Sequence, residues 1–141
     1  MPRLDPGVAL TRLRSARVAR LATADESGRP HLVPVTFALS PDGSLLVTAV
    51  DGKPKSTMAL RRLRNIAVRP RVSVLADHYD EQWAQLWWVR ADGIATIRTG
   101  TDRNAPIDWL LAKYPQYQDD APRGPVIAIE LDEVTGWAYT R

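Results

Sequence analysis

Short β-forming runs joined by hairpin turns occupy most of this chain, and they leave few ways to fold it. Residues 18–23 read as a strand, and Asp25-Glu26-Ser27-Gly28-Arg29 supplies the turn of a hairpin. The returning strand, 30–39, puts His31, Val33, Val35 and Phe37 on one face and Leu32, Pro34 and Thr36 on the other. Pro41-Asp42-Gly43 makes the next turn, and 45–50 the third strand. Further strands are expected at 71–77 and at 86–97, the latter bending near Asp92-Gly93. Residues 126–131 and 134–139 read as strand, turn, strand. Helical spacing interrupts this pattern at 8–16, with Asp5 as cap and Pro6 in the first turn, at 56–66 and at 104–114. A proline-rich loop follows at 115–124. Regular strand-helix alternation is absent, which argues against a doubly wound parallel sheet. The expectation is a single α+β, mainly β domain over 1–141: an antiparallel barrel of six or seven strands with peripheral helices.

Composition narrows the chemistry. There are no cysteines and only two histidines, His31 and His78, so thiolate chemistry is excluded and a zinc site disfavoured. No apolar run is long enough to span a bilayer, and Met1-Pro2-Arg3-Leu4-Asp5 has no signal-peptide core behind it, so a cytoplasmic protein is expected. The net charge of +3 is unevenly spread. Residues 1–70 hold twelve lysines and arginines against five acids, while 71–141 hold seven against eleven. A basic half suggests an anionic partner. No helix-turn-helix, zinc finger or aromatic RNA-binding motif accompanies it, which favours a phosphorylated small ligand over nucleic acid.

The strongest candidate for that ligand is the turn Asp51-Gly52-Lys53-Pro54-Lys55-Ser56-Thr57, between a strand and the basic helix. Free backbone N–H groups at a helix start attract phosphate, and Lys53 and Lys55 add charge. Ser56 or Thr57 can cap the helix and donate a hydroxyl. The spacing is not that of a Walker A loop. Adjacent Trp87 and Trp88 must face opposite sides of their strand, one toward the core and one toward a groove, solvent or a partner subunit. Two-residue alternation pairs Trp88 with Arg90, and Trp137 reads as core. No nucleophile-base pair, metal cluster or carboxylate dyad stands out, and no catalytic residue is assigned. His31, His78 and Tyr79 are the side chains able to deliver a proton.

Arg17-Val18-Ala19-Arg20-Leu21-Ala22-Thr23, followed by Gly28-Arg29-Pro30-His31-Leu32-Val33-Pro34-Val35, resembles the opening of the split β-barrel flavin-binding proteins related to pyridoxamine 5′-phosphate oxidase. The strand ending in Thr48, the Lys-Pro-Lys-Ser-Thr turn, Leu63-Arg64-Asn65-Ile66, Pro70-Arg71-Val72-Ser73 and Val89-Arg90-Ala91-Asp92-Gly93-Ile94-Ala95 continue the likeness across 8–139. Asp77-His78-Tyr79-Asp80 and Leu86-Trp87-Trp88-Val89-Arg90 are most similar to actinobacterial members that use the deazaflavin coenzyme F420 in place of FMN. The resemblance implies the FMN-binding split-barrel fold and a homodimer with the cofactor in a groove between subunits. It further implies cofactor contacts from Pro34, Val35, Thr36 and Thr48, a phosphate turn of Lys53, Lys55, Ser56 and Thr57 aided by Arg61, and stacking by Trp88. The implied activity is hydride transfer from reduced F420 to an unsaturated organic acceptor. The alternatives are an FMN-dependent oxidase of the vitamin B6 type and a non-catalytic flavin-, deazaflavin- or haem-binding protein. The first is disfavoured because the chain ends at Arg141, directly after its last strand.

Overall fold

The computed structural model describes residues 2–50 and 57–140, with the side chains of 57–60 left out of account. In chain order the elements are α1 (Pro6–Ser15), β1 (Ala19–Ala24), β2 (Pro30–Val35), β3 (Ala38–Leu39), β4 (Leu45–Ala49), α2 (Thr57–Val68), β5 (Arg71–His78), β6 (Trp87–Arg98), α3 (Asn104–Lys113), α4 (Gln116–Asp119) and β7 (Val126–Ala138). Two short 3-10 turns, at Trp83–Gln85 and Gly100–Arg103, flank β6.

All seven strands form one antiparallel sheet in the order β2-β1-β5-β6-β7-β4-β3. The strands at its two edges, β2 and β3, are consecutive in the chain and separated only by Thr36 and Phe37. Three residue steps span at most about 11 Å. A sheet of seven strands whose edges must stay that close has to curl, and the result is a half-barrel split along the β2–β3 seam. Pro34 is tolerated in β2 because β2 is an edge strand and needs no donor on its free side.

The inward side chains alternate as expected: Leu21, Val33, Val35, Leu46, Val74, Val89, Ile127 and Ile129 are buried together with Phe37. The α1 helix, capped by Asp5 accepting from the Gly7 N–H at 3.1 Å, plugs one end with Ala9 and Leu13. On the outer side of β3, β4 and β7, α3 covers Ala38, Val47, Val126 and Ala128 with Leu110 and Tyr114. That second layer explains the unbroken apolar run at 126–129, which is buried on both faces.

The C-terminal pair of strands expected at 126–131 and 134–139 is instead one continuous strand. Asp132 is the extra residue of a bulge opposite Asp92 and Gly93, and its carboxylate pairs with Arg71 at 3.0 Å. A Cβ at Gly93 would fall on the Glu130 carbonyl oxygen, so glycine permits the close approach that curls β6 against β7. The strand expected at 30–39 is broken at Thr36 and Phe37. The loop after α3 carries the short helix α4.

Candidate functional site

A cleft of about 520 Å³ opens at the seam of the half-barrel. Its floor is the end of β2 and the linker after it, Pro34, Val35 and Thr36, with Thr48 and Ala49 of β4 beside them. Arg62 of α2 forms one wall and Tyr117 with the 120–123 segment the other. Thr48 is almost fully buried, and its hydroxyl donates to the Thr36 carbonyl at 2.7 Å, fixing the linker's backbone. The Thr36 hydroxyl meets the Tyr117 hydroxyl at 2.5 Å. One residue on, the Phe37 N–H donates to the Tyr114 hydroxyl at 3.1 Å, which itself donates to the Arg17 carbonyl at 2.8 Å. Two tyrosines three residues apart therefore strap the C-terminal segment across the seam. Arg103 holds the rest of that segment by donating to the Gly124 and Pro122 carbonyls at 2.8 and 2.6 Å.

The electrostatics centre on Arg62. Its Nε is buried, it has no hydrogen-bond partner among the described residues, and burial pulls its pKa down. Arginine stays charged regardless, so the wall presents a partly desolvated cation with one unmet buried donor. Arg123 adds a second positive charge at the rim and Asp120 a negative one. A buried donor without a partner costs stability unless a ligand meets it, and a planar guanidinium fits a phosphate or carboxylate. The residues present thus fit a ligand with a flat apolar body against Pro34 and Val35 and an anionic group toward Arg62.

Four sequence-derived candidates, Pro34, Val35, Thr36 and Thr48, come together here. Lys53, Lys55 and Ser56 lie outside the described residues, as does the side chain of Thr57. Arg61 is exposed and lines a different cleft, on the opposite flank of α2. Trp88 lies on the outer face of the sheet, in a shallow groove of about 750 Å³ with Leu32, Leu75, Trp137 and Arg90. Trp137, expected in the core, sits half-buried in that groove. In β7 the inward positions are Gly136 and Ala138, and Gly136 receives Leu4 and Ala9, so alternation turns Trp137 outward opposite Trp88. Trp87 packs at the margin of the core, with the Arg12 guanidinium 5.7 Å from its ring centroid. Of the proton-donor candidates, His31 lines the cleft with Arg61, while His78 and Tyr79 border the outer groove. Among the described residues no cluster of three or more histidines or acids could hold a metal ion, and no helix is long and apolar enough to cross a membrane.

The family model for pyridoxamine 5′-phosphate oxidase matches residues 8–138, nearly the whole half-barrel. The chain belongs to the pyridoxamine 5′-phosphate oxidase family. Solved structures with the same fold include an FAD-binding protein of Mesorhizobium loti, 21% identical with a TM-score of 0.72 over 96% of this chain and 95% of that one. An FAD-binding protein of Mycobacterium smegmatis is 18% identical, with a TM-score of 0.66 over 99% and 100%. A conserved hypothetical protein of Mycobacterium tuberculosis is 20% identical, with a TM-score of 0.74 over 96% and 85%. No curated protein matches the chain.

Within this family member, sequence reasoning missed Arg62, Tyr117 and Arg123. Arg62 was distinguishable from Arg61 only by the helix's rotation about its axis, which the basic run Arg61-Arg62-Leu63-Arg64 does not define. Tyr117 carried a weak signal, the Tyr114-x-x-Tyr117 spacing, inside a stretch read as loop.

Proposed function

We propose that this chain is an oxidoreductase that binds a flavin-type cofactor in the seam cleft, with coenzyme F420 as that cofactor and an unsaturated organic molecule as hydride acceptor. The observation that carries the reading is Arg62, a half-buried guanidinium with no partner among the described residues, aimed into a cleft floored by Pro34 and Val35. A flavin or deazaflavin supplies the hydride chemistry itself, leaving the protein to bind, orient and exclude water. Arg62 and Arg123 would hold the anionic part, assisted by Lys53 and Lys55 of the preceding turn. The backbone of 34–36, locked by Thr48, would carry the ring. The Tyr117 hydroxyl, shared with Thr36, lines the cleft and is suited to orient an acceptor or relay a proton.

The F420 branch draws support from the basic N-terminal half and from the Leu86-Trp87-Trp88-Val89-Arg90 segment. FMN or FAD is the second reading, favoured by the FAD-binding proteins among the similar folds. We further propose a homodimer in which the outer groove of Trp88, Trp137, Leu32 and Leu75 is covered by a second copy; Leu32 is 66% exposed, and Arg20, Asp77 and Arg90 stand among these apolar side chains. Side-by-side fluorescence titrations with F420, FMN and FAD test the cofactor reading. Tighter binding of F420 supports the deazaflavin branch, and equal or tighter binding of FMN or FAD removes it. Failure of all three to bind removes the oxidoreductase reading itself.

A further inference from the structure

The helix α2 separates two clefts. The second, about 490 Å³, lies between α2 and the β1–β2 hairpin. Arg29 of the hairpin and Arg61 and Arg64 of the helix line it, and none of the three has an ion pair among the described residues. His31 adds a ring whose Nδ1 is buried with no hydrogen-bond partner among the described residues. Two acids also border the cleft, but the Asp25 carboxylate is engaged: one oxygen accepts from the Ser27 N–H at 3.0 Å, the Ser27 hydroxyl at 2.8 Å and the Arg29 N–H at 2.9 Å. Glu26 sits at the exposed turn.

The walls are tied together without any ligand. Arg69, just past the end of α2, donates to the Asp25 carbonyl at 2.7 Å and to the Glu26 carbonyl at 3.0 Å. Deeper in, the buried Asn65 donates its amide to the Thr23 hydroxyl at 3.0 Å. Helix and hairpin are thus clamped at two levels around arginines that form no ion pair among the described residues.

We propose that this cleft is a second anion-binding site, which takes a phosphate or carboxylate group through Arg61, Arg64 and His31. Guanidinium groups pair with such oxyanions through two parallel N–H donors, and a preformed cleft avoids the ordering cost of assembling them. The His31 ring contributes in proportion to its protonation. Burial, then Arg61 and Arg62, hold its pKa below the ordinary value, and a bound anion opposes both effects. Among the described residues, Arg61 and Arg62 of α2 act on the ring through their charge, and Arg64 of α2 lines the same cleft with Asp25, Glu26 and Arg29 of the hairpin. Protonation of the His31 ring adds a charge and a second donor, so anion affinity rises as the pH falls through the pKa of that ring.

The two clefts are neighbours. Arg61 and Arg62 are consecutive, and His31 lies three residues from Pro34, about 10 Å along an extended strand. The anion could be a separate small molecule or the far end of a ligand seated in the seam cleft. The latter source rests on the cofactor reading above, since F420 carries a glutamate tail beyond its phosphate.

The test is histidine NMR on a His78→Asn variant, titrated with inorganic phosphate at constant ionic strength. The expected result is a saturable shift of the His31 resonances and a rise in the His31 pKa. In an Arg61→Gln/Arg64→Gln variant, both positions being exposed, the affinity should fall roughly tenfold or more with an unchanged thermal melt. Absence of a saturable shift, or an unchanged affinity in the double variant, overturns the site. Addition of F420 and, separately, FMN then identifies the source. Displacement of phosphate by F420 alone assigns the cleft to a cofactor tail, and phosphate retained beside either cofactor assigns it to a free anion. The phosphate arm stands or falls independently of whether any cofactor binds.

Discussion

The hydroxyls of Thr36 and Tyr117 meet at 2.5 Å across the seam of the half-barrel, joining residues 81 apart in sequence. Removing one of them separates a wall of the candidate site from its floor. Tyr117→Phe should cost about 0.5–1.5 kcal/mol of stability, a few degrees in Tm. Amide hydrogen exchange over 116–119 should accelerate more than over α3. A uniform change across the whole chain would show that the bond does not restrain α4 in particular.

Arg62 and Arg61 are neighbours with separate assignments, and single substitutions distinguish them. Arg62→Ala should weaken cofactor binding ten- to hundredfold, the loss of about 1.5–3 kcal/mol for a hydrogen bond to a charged group. Arg61→Ala should leave ring binding within about threefold. Titration of both variants with the best-binding cofactor checks this, and the reverse order would move the anion site to the other flank of α2.

For the outer groove, Trp88→Ser should weaken self-association by about thirtyfold or more, as expected for a central aromatic anchor worth at least 2 kcal/mol. Sedimentation over a concentration series reads this directly. A protein that is monomeric before the substitution would remove the dimer, and with it any contribution of Trp88 to a shared site.

Lys113 provides a pH signature. Its amine is buried with no hydrogen-bond partner among the described residues, 3.8 Å from the Phe37 ring centroid. Desolvation first, then Arg17 and Arg14, push its pKa down to about 8. The unfolded chain holds that proton up to about pH 10.4, so between these values it binds more protons than the folded chain. Stability therefore rises with pH across this window, until Tyr114, whose pKa burial raises, begins to oppose it above about pH 10 as the unfolded tyrosine ionises. Thermal melts from pH 7 to 9.5 should show an increasing Tm that flattens in Lys113→Met. A flat profile in the parent protein would assign the amine its ordinary pKa.

Much of this fold was legible because strands expose a period of two. The alternation through Val33, Val35 and Phe37, the bend at Asp92-Gly93 and the Asp5 cap all follow from local rules that the tertiary structure obeys. Asp132-Glu133 misled because a bulge and a hairpin turn draw on the same polar residues; only the partner strand, running past Asp92 without a break, distinguishes them. Trp137 misled because size suggests burial, whereas the inward positions beside it had to be small to admit α1. At the site, the floor of Pro34, Val35, Thr36 and Thr48 was readable by resemblance. The walls were not, because they depend on the azimuth of α2 and on a segment that reaches the seam from 81 residues away.

Gly93 also sets a limit on how this molecule can change. Gly28 and Gly100 have positive φ but open space around them, so a side chain there meets only backbone strain. At Gly93 any side chain would meet the main chain of β7 itself, which no rotamer can escape. Among homologues that keep this curvature, Asn or Asp can replace glycine at positions 28 and 100 at a modest cost in strain, while position 93 admits no side chain unless β6 and β7 move apart and the seam widens with them.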